Sequence, residues 1–110
     1  MSLKPITVLR RARKLIENRS AWIKGAYIGK RRGVQCYCGL GALATAAGIK
    51  VTDGGTLSTI EAGRLPYEYY TAHNLLLKAA DTNWFPEFND RSKHEDVLAV
   101  FDKAIEAEAK

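Results

Sequence analysis

Cys36-Tyr37-Cys38-Gly39-Leu40-Gly41-Ala42-Leu43-Ala44-Thr45-Ala46-Ala47-Gly48 is the stretch on which the fold turns. Alanine is the strongest helix former and Gly48 is a natural helix stop, so the run after Cys38 is expected to be helical. Its side chains are very small, which lets neighbouring helices approach its backbone and predicts a central, buried helix. Cys38 stands at the mouth of that helix, where unpaired N–H groups and the helix dipole favour a thiolate. No other position in the chain combines such features.

Upstream, Ala26-Tyr27-Ile28 and Val34-Gln35-Cys36 are β-prone runs around Gly29-Lys30-Arg31-Arg32-Gly33, a pattern that suits a short hairpin or a loose loop. Three adjacent cations are too costly to bury unpaired, so Lys30, Arg31 and Arg32 are expected at an exposed tip. Further back, Pro5 opens a helix to about Asn18. Val8, Leu9, Ala12, Leu15 and Ile16 form its apolar stripe, with Arg10, Arg11, Arg13 and Lys14 opposite.

Downstream, Val51 to Thr56 is turn chemistry, and Leu57 to Ala62 is expected to form one or two helical turns closed by Gly63. A helix from Pro66 to about Ala80 carries Tyr69, Tyr70, His73, Leu76, Leu77 and Ala80 at stripe spacing. Asp81 to Arg91 reads as an aromatic-rich loop. Ser92-Lys93-His94-Glu95 reads as a capping box, opening a last helix to about Ala107 with Val97, Leu98, Phe101, Ala104 and Ile105 inward. The expected architecture is all-α: a compact bundle of about four main helices around the small-residue helix, in a single domain over residues 1–110, with room for one short β-hairpin.

A 46% hydrophobic and 26% charged content is that of an ordinary globular protein. No apolar run approaches the ~20 residues of a membrane span, and no signal-peptide core opens the chain, so a cytoplasmic location is expected. Cys36 and Cys38 are too close for an unstrained disulfide, and reduced thiols are the default. The net charge of +5 is unevenly divided. Residues 1–50 carry eleven Lys and Arg against Glu17 alone, whereas residues 51–110 carry six against eleven acids. Such a division suits a basic face for an acidic partner, or two halves that neutralise each other on packing.

Two function classes follow. The leading one is a non-catalytic binding module for a macromolecular partner, protein or nucleic acid. Lys30, Arg31, Arg32, Arg10, Arg13 and Lys14 would be its contacts, and acids such as Asp96 and Glu106 are the groups that could interrupt the patch. The alternative is a cysteine-dependent enzyme in which Cys38 is the nucleophile, His94 or else His73 its base, and Asn89 or Asp90 the group that orients His94. His73 reads as a hydrogen-bonded core histidine. Cys36, Cys38, His73 and His94 offer four soft ligands, but their spacing is not that of a zinc site, so neither metal nor cofactor is expected.

Tyr37-Cys38-Gly39-Leu40-Gly41-Ala42-Leu43 resembles the Trp-Cys-x-x-Gly-Ala-Leu segment of domain-of-unknown-function family 6197, found in actinobacterial and phage proteins. Trp22 with Gly25-Ala26 resembles that family's early Trp and Gly-Ala, and Asn89-Asp90 its Trp-Asn-Asp. Val97 with Asp102-Lys103-Ala104-Ile105 resembles its closing helix. The chain departs from the pattern at Tyr37 and Phe88, each in the place of a tryptophan. The resemblance spans most of residues 8–106 and implies no activity to carry over. It does imply that Cys38, Asn89 and Asp90 are the positions to watch, and that the origin is a phage or mobile element. Physically, Asn89 and Asp90 suit a polar clasp that bonds exposed backbone amides, reaching the Cys38 helix and tying the last segment to the centre.

Overall fold

Residues 4–53, 58–60 and 67–109 are described by the computed structural model of this chain. Helix α1 (Pro5–Leu15) opens on proline, whose fixed φ suits the first turn, and ends with Arg13 and Lys14 facing the negative end of the helix dipole. It stops short of Asn18, where the helix was expected to end. Val8, Leu9, Ala12 and Ile16 are fully buried, so the stripe does face the core. The Asn18 side chain accepts from the Ser20 amide at 2.9 Å and caps a single 3₁₀ turn, Arg19–Ala21.

Strands β1 (Ile28–Arg31) and β2 (Val34–Tyr37) pair antiparallel with Arg31 opposite Val34. The loop is therefore Arg32-Gly33 alone, with φ of 52° and 78°. Two successive left-handed residues define the type I′ turn that matches strand twist. Trp22 bridges Tyr37 in parallel fashion, which brings the segment after the 3₁₀ turn alongside β2.

Helix α2 (Gly39–Ala46) has seven buried residues, and only Thr45 is partly exposed. Its glycines are explained by close packing. A Cβ on Gly41 would overlap the Tyr27 carbonyl, and one on Gly39 would overlap the Phe85 ring. The helix stops at Gly48, φ 82°, where the amides of Gly48 and Ile49 return to the carbonyls of Thr45 and Ala44. That is a Schellman motif, which leaves few orphan carbonyls.

Several expectations are corrected beyond this point. Val51–Asp53, expected as part of a turn, form strand β3, and Ser58–Ile60 pair with it as strand β4, so they are not helical turns. Val51, Thr52, Thr59 and Ile60 are β-branched, and strand pairing overrides a weak helical spacing. Leu57 and residues 61–63 of that stretch, with the expected helix start at Pro66, lie outside the described residues. Phe85–Arg91 form a two-turn helix, α4, where an aromatic-rich loop was expected. Pro86 in its first turn reads as a breaker in sequence but is tolerated there. The Trp84 amide before it donates to the Thr82 hydroxyl.

Helix α3 (Tyr67–Ala80) buries Tyr69, Ala72 and Leu76, but Tyr70 is half exposed and His73 only half-buried. Helix α5 (His94–Ala109) buries Val97, Phe101 and Ala104. The Ser92–Glu95 capping box is not formed: the Lys93 carbonyl takes the amides of Asp96 and Val97, so the helix starts one residue later. The fold is thus compact and mostly helical. It has five α-helices and two two-stranded antiparallel sheets among the described residues; β1–β2 is the short hairpin allowed for, while the second sheet and the short helix α4 go beyond the four main helices expected. One hydrophobic cluster joins all five helices, with Phe85 edge-on to Phe101 at 6.2 Å.

Candidate functional site

Asn89 is the only fully buried polar side chain among the described residues. Its Oδ1 accepts from the Trp22 indole at 2.8 Å and from the Gly39 amide at 2.9 Å. Its Nδ2 donates to the Ile23 carbonyl at 3.0 Å and to Asp90 Oδ1 at 3.2 Å. The same Asp90 oxygen accepts from the Gly25 amide at 2.9 Å, where φ is 82°. One asparagine thus joins α4 to the N-terminus of α2 and to the Trp22–Gly25 segment. Its amide can accept and donate together, which neither a carboxylate nor a hydroxyl does with this geometry.

Cys38 is the N-cap of α2, and its sulfur accepts from the Gly41 amide at 3.3 Å. The expected thiolate is not favoured. Burial pushes the thiol up to about 11, and the nearby Asp90 charge acts in the same direction, against the lowering effect of the Gly41 amide. Only 2% of Cys38 is exposed. The dipole argument fails because desolvation of a buried thiolate costs more than a helix terminus returns. Tyr69, close enough to feel Cys38 and Tyr27, is likewise pushed up to about 12, chiefly by burial. Cys36 is also buried, and its Sγ donates to the Ser20 carbonyl.

His94 lies elsewhere in the bonding network. Its Nε2 is 2.6 Å from the Ile16 carbonyl, which can only accept, so that nitrogen carries hydrogen. The ring packs on Trp22 at 5.5 Å. No hydrogen bond joins His94 to Cys38 or Asp90 among the described residues. His73 has the opposite problem: its Nε2 is buried with no partner among the described residues, and burial holds its pKa below the ordinary histidine value. The expectation of a hydrogen-bonded core histidine is therefore corrected. No three His, Cys, Asp or Glu side chains gather as a metal site among the described residues.

The six basic contacts divide. Lys30, Arg31 and Arg32 are exposed at the hairpin, the last within the turn itself. Arg10 and Lys14 are exposed on α1. Arg13 is not free: its guanidinium meets Asp102 of α5 at 2.6 and 3.3 Å and Glu17 at 3.2 Å. The Asp102 hydrogen bond is the main cause that raises its pKa. Asp102 is thus an acid of the second half that takes up one of the six cations.

Cations that went unnoticed in sequence complete the surface. A pocket of about 310 Å³ is lined by Arg19, Trp22, Ile23, Lys24 and Arg31. A second pocket of about 540 Å³ shares Arg19, Trp22 and Lys24 and is closed by Ser92, Lys93, His94 and Glu95. Lys24 Nζ lies 5.6 Å from the Trp22 ring centre, a cation–π contact. Arg19 and Lys24 flank Trp22 in sequence, a basic-aromatic-basic signal that was available but has no helical or strand period to mark its face.

No helix among the described residues is long and apolar enough to cross a membrane. No curated protein and no solved structure matches the chain. The model of a family of unknown function, DUF6197, matches residues 1–107, which carry the Cys38 segment, the Trp22 segment and the Asn89-Asp90 pair joined by the bonds above; the chain belongs to that family.

Proposed function

We propose that this chain is a non-catalytic binding module whose contact surface is the basic rim between the β1–β2 hairpin and the Arg19–Lys24 segment, and whose partner is nucleic acid. The observation that carries the reading is the smaller pocket. Arg31 from the hairpin faces Arg19 and Lys24 from the preceding segment, and no carboxylate lines the hollow. Among the described residues, none of these three cations is in an ion pair. Like charges gathered without a counter-charge repel one another, and an anionic partner relieves that repulsion. The two-residue turn holds Lys30–Arg32 on a short, stiff hairpin, so little order is lost when the tip binds. Buried α2 is the hub on which this surface is mounted, through the Gly39–Asn89–Trp22 hydrogen bonds.

Contacts of this kind address phosphates and not base edges, so binding is weak, sequence-tolerant and steeply salt-dependent. Two free cysteines suit a reducing compartment such as the cytoplasm. The cysteine-enzyme reading draws no support from a sealed, protonated Cys38 or from a His94 engaged by Ile16. Fluorescence anisotropy with duplex DNA and single-stranded RNA across a salt series tests the proposal, with Lys30, Arg31 and Arg32 together changed to Ala as the comparison. The triple change is expected to weaken binding to both probes and flatten the salt dependence. No binding at low salt, or binding untouched by the change, would leave an acidic protein as the better partner.

A further inference from the structure

We infer that the larger pocket, between the Arg19–Lys24 segment and the start of α5, seats a phosphate group of the bound nucleic acid; this rests on the nucleic-acid reading above. Arg19 and Lys24 come from one wall, and Lys93 with Ser92 from the other. The two walls are far apart in sequence, so the cluster is a product of the fold.

Charge favours an anion. Three fixed cations face the pocket against one carboxylate, Glu95. None of the three is ion-paired among the described residues, and the same holds for Glu95. The Ser92 hydroxyl, released from the expected cap, has no hydrogen bond among the described residues and is a neutral donor at the same site. The amides of His94 and Glu95 precede the first hydrogen bond of α5 and add to a seat that side chains already define.

The pocket is built on a rigid base. Trp22 forms its floor with the indole nitrogen tied to Asn89, and the His94 ring is held against it by Ile16. Lys24 is already drawn over the Trp22 ring, which restrains one of the cations before any ligand arrives. Only 7% of Trp22 is exposed, so no ring face is offered for a base to stack on. This separates the pocket from the stacking platforms of single-strand binders and assigns it to the phosphate, not the base. The volume of about 540 Å³ also leaves room for the attached sugar. Because the smaller pocket shares Arg19 and Lys24, one nucleic-acid strand can run from Arg31 past Lys24 to Lys93.

The test uses the full chain and a labelled duplex DNA, with affinity measured by anisotropy across a salt series. Lys24→Gln with Lys93→Gln should lower the slope of log affinity against log salt by about one, for the one phosphate left without its cations. Glu95→Gln should tighten binding about threefold, since it removes the one opposing charge. Both are exposed-site changes, and an unchanged melting temperature verifies that folding is intact. A salt slope equal to the parent's in the double variant, with binding still weakened in the Lys30–Arg32 variant, would overturn the pocket while leaving the hairpin reading in place. Absence of duplex binding by the parent chain would overturn both. Equal binding of poly-glutamate, weakened by the same double change, would overturn the phosphate assignment in favour of an acidic protein.

Discussion

Two polar regions share Trp22 as a border and treat polarity in opposite ways. On one side, Asn89 is fully buried, and both ends of its amide are hydrogen-bonded. On the other, Arg19, Lys24, Arg31 and Lys93 are exposed and have no carboxylate partner among the described residues. A buried polar group must be satisfied within the protein, so its partners define a structural joint. An exposed cation is satisfied by water at little cost, which leaves it available to a ligand. Arg13 lies between these cases: it carries the same charge as its neighbours on α1, yet its bonds to Asp102 and Glu17 give it to the fold.

Asn89→Leu should produce the largest effect. It strands the Trp22 N–H, the Gly39 N–H and the Ile23 carbonyl together, and should cost about 3–5 kcal/mol in urea unfolding. A decrease under about 1 kcal/mol would show that packing, not hydrogen bonding, holds this joint. Asp90→Ala removes two acceptor interactions at an exposed site and should cost about 1 kcal/mol, read as a lower melting temperature. If the variant melts with the parent, Asp90 belongs with the ligand-facing groups and the comparison has to be redrawn.

His73 gives a smaller, pH-dependent effect. Its folded pKa is depressed, so the unfolded chain binds the proton more readily, and stability falls as pH drops from the ordinary histidine value of about 6.5. Above that pH the effect is absent. The melting curve of His73→Leu should lose that part of the acid dependence, and an identical acid profile in both proteins would contradict it. Changing Lys30, Arg31 and Arg32 together to Ala should move stability least, within about 0.5 kcal/mol, while DNA binding falls. A large fall in stability would move the tip to the structural side of the comparison.

Much of the helical fold was legible because burial repeats along a helix. The stripe in α1 named Val8, Leu9, Ala12 and Ile16, and the stripe in α5 named Val97, Phe101 and Ala104, all of them buried. Gly48 was legible as a stop because a left-handed residue is needed there. Helix α4 was not, since two turns are too short to show a period and Pro86 reads as a breaker. Strand β4 was missed for a related reason: a three-residue strand depends on its partner more than on its own pattern. At the site, three adjacent cations announced an exposed tip, whereas Arg19 and Lys24 lie in one segment and Lys93 in another, joined only by the pocket.

By itself, the sequence determined which faces of α1 and α5 turn inward, where α2 stops and that Lys30–Arg32 meet solvent. These follow from helical periodicity, backbone sterics and the cost of burying charge, all of which act locally. Tertiary structure alone decided that Arg13 is spent on Asp102, 89 positions away, and that Asn89 reaches Trp22 across 67. It also decided that Cys38 keeps its proton, because the desolvation that outweighs the helix dipole comes from side chains brought together by folding.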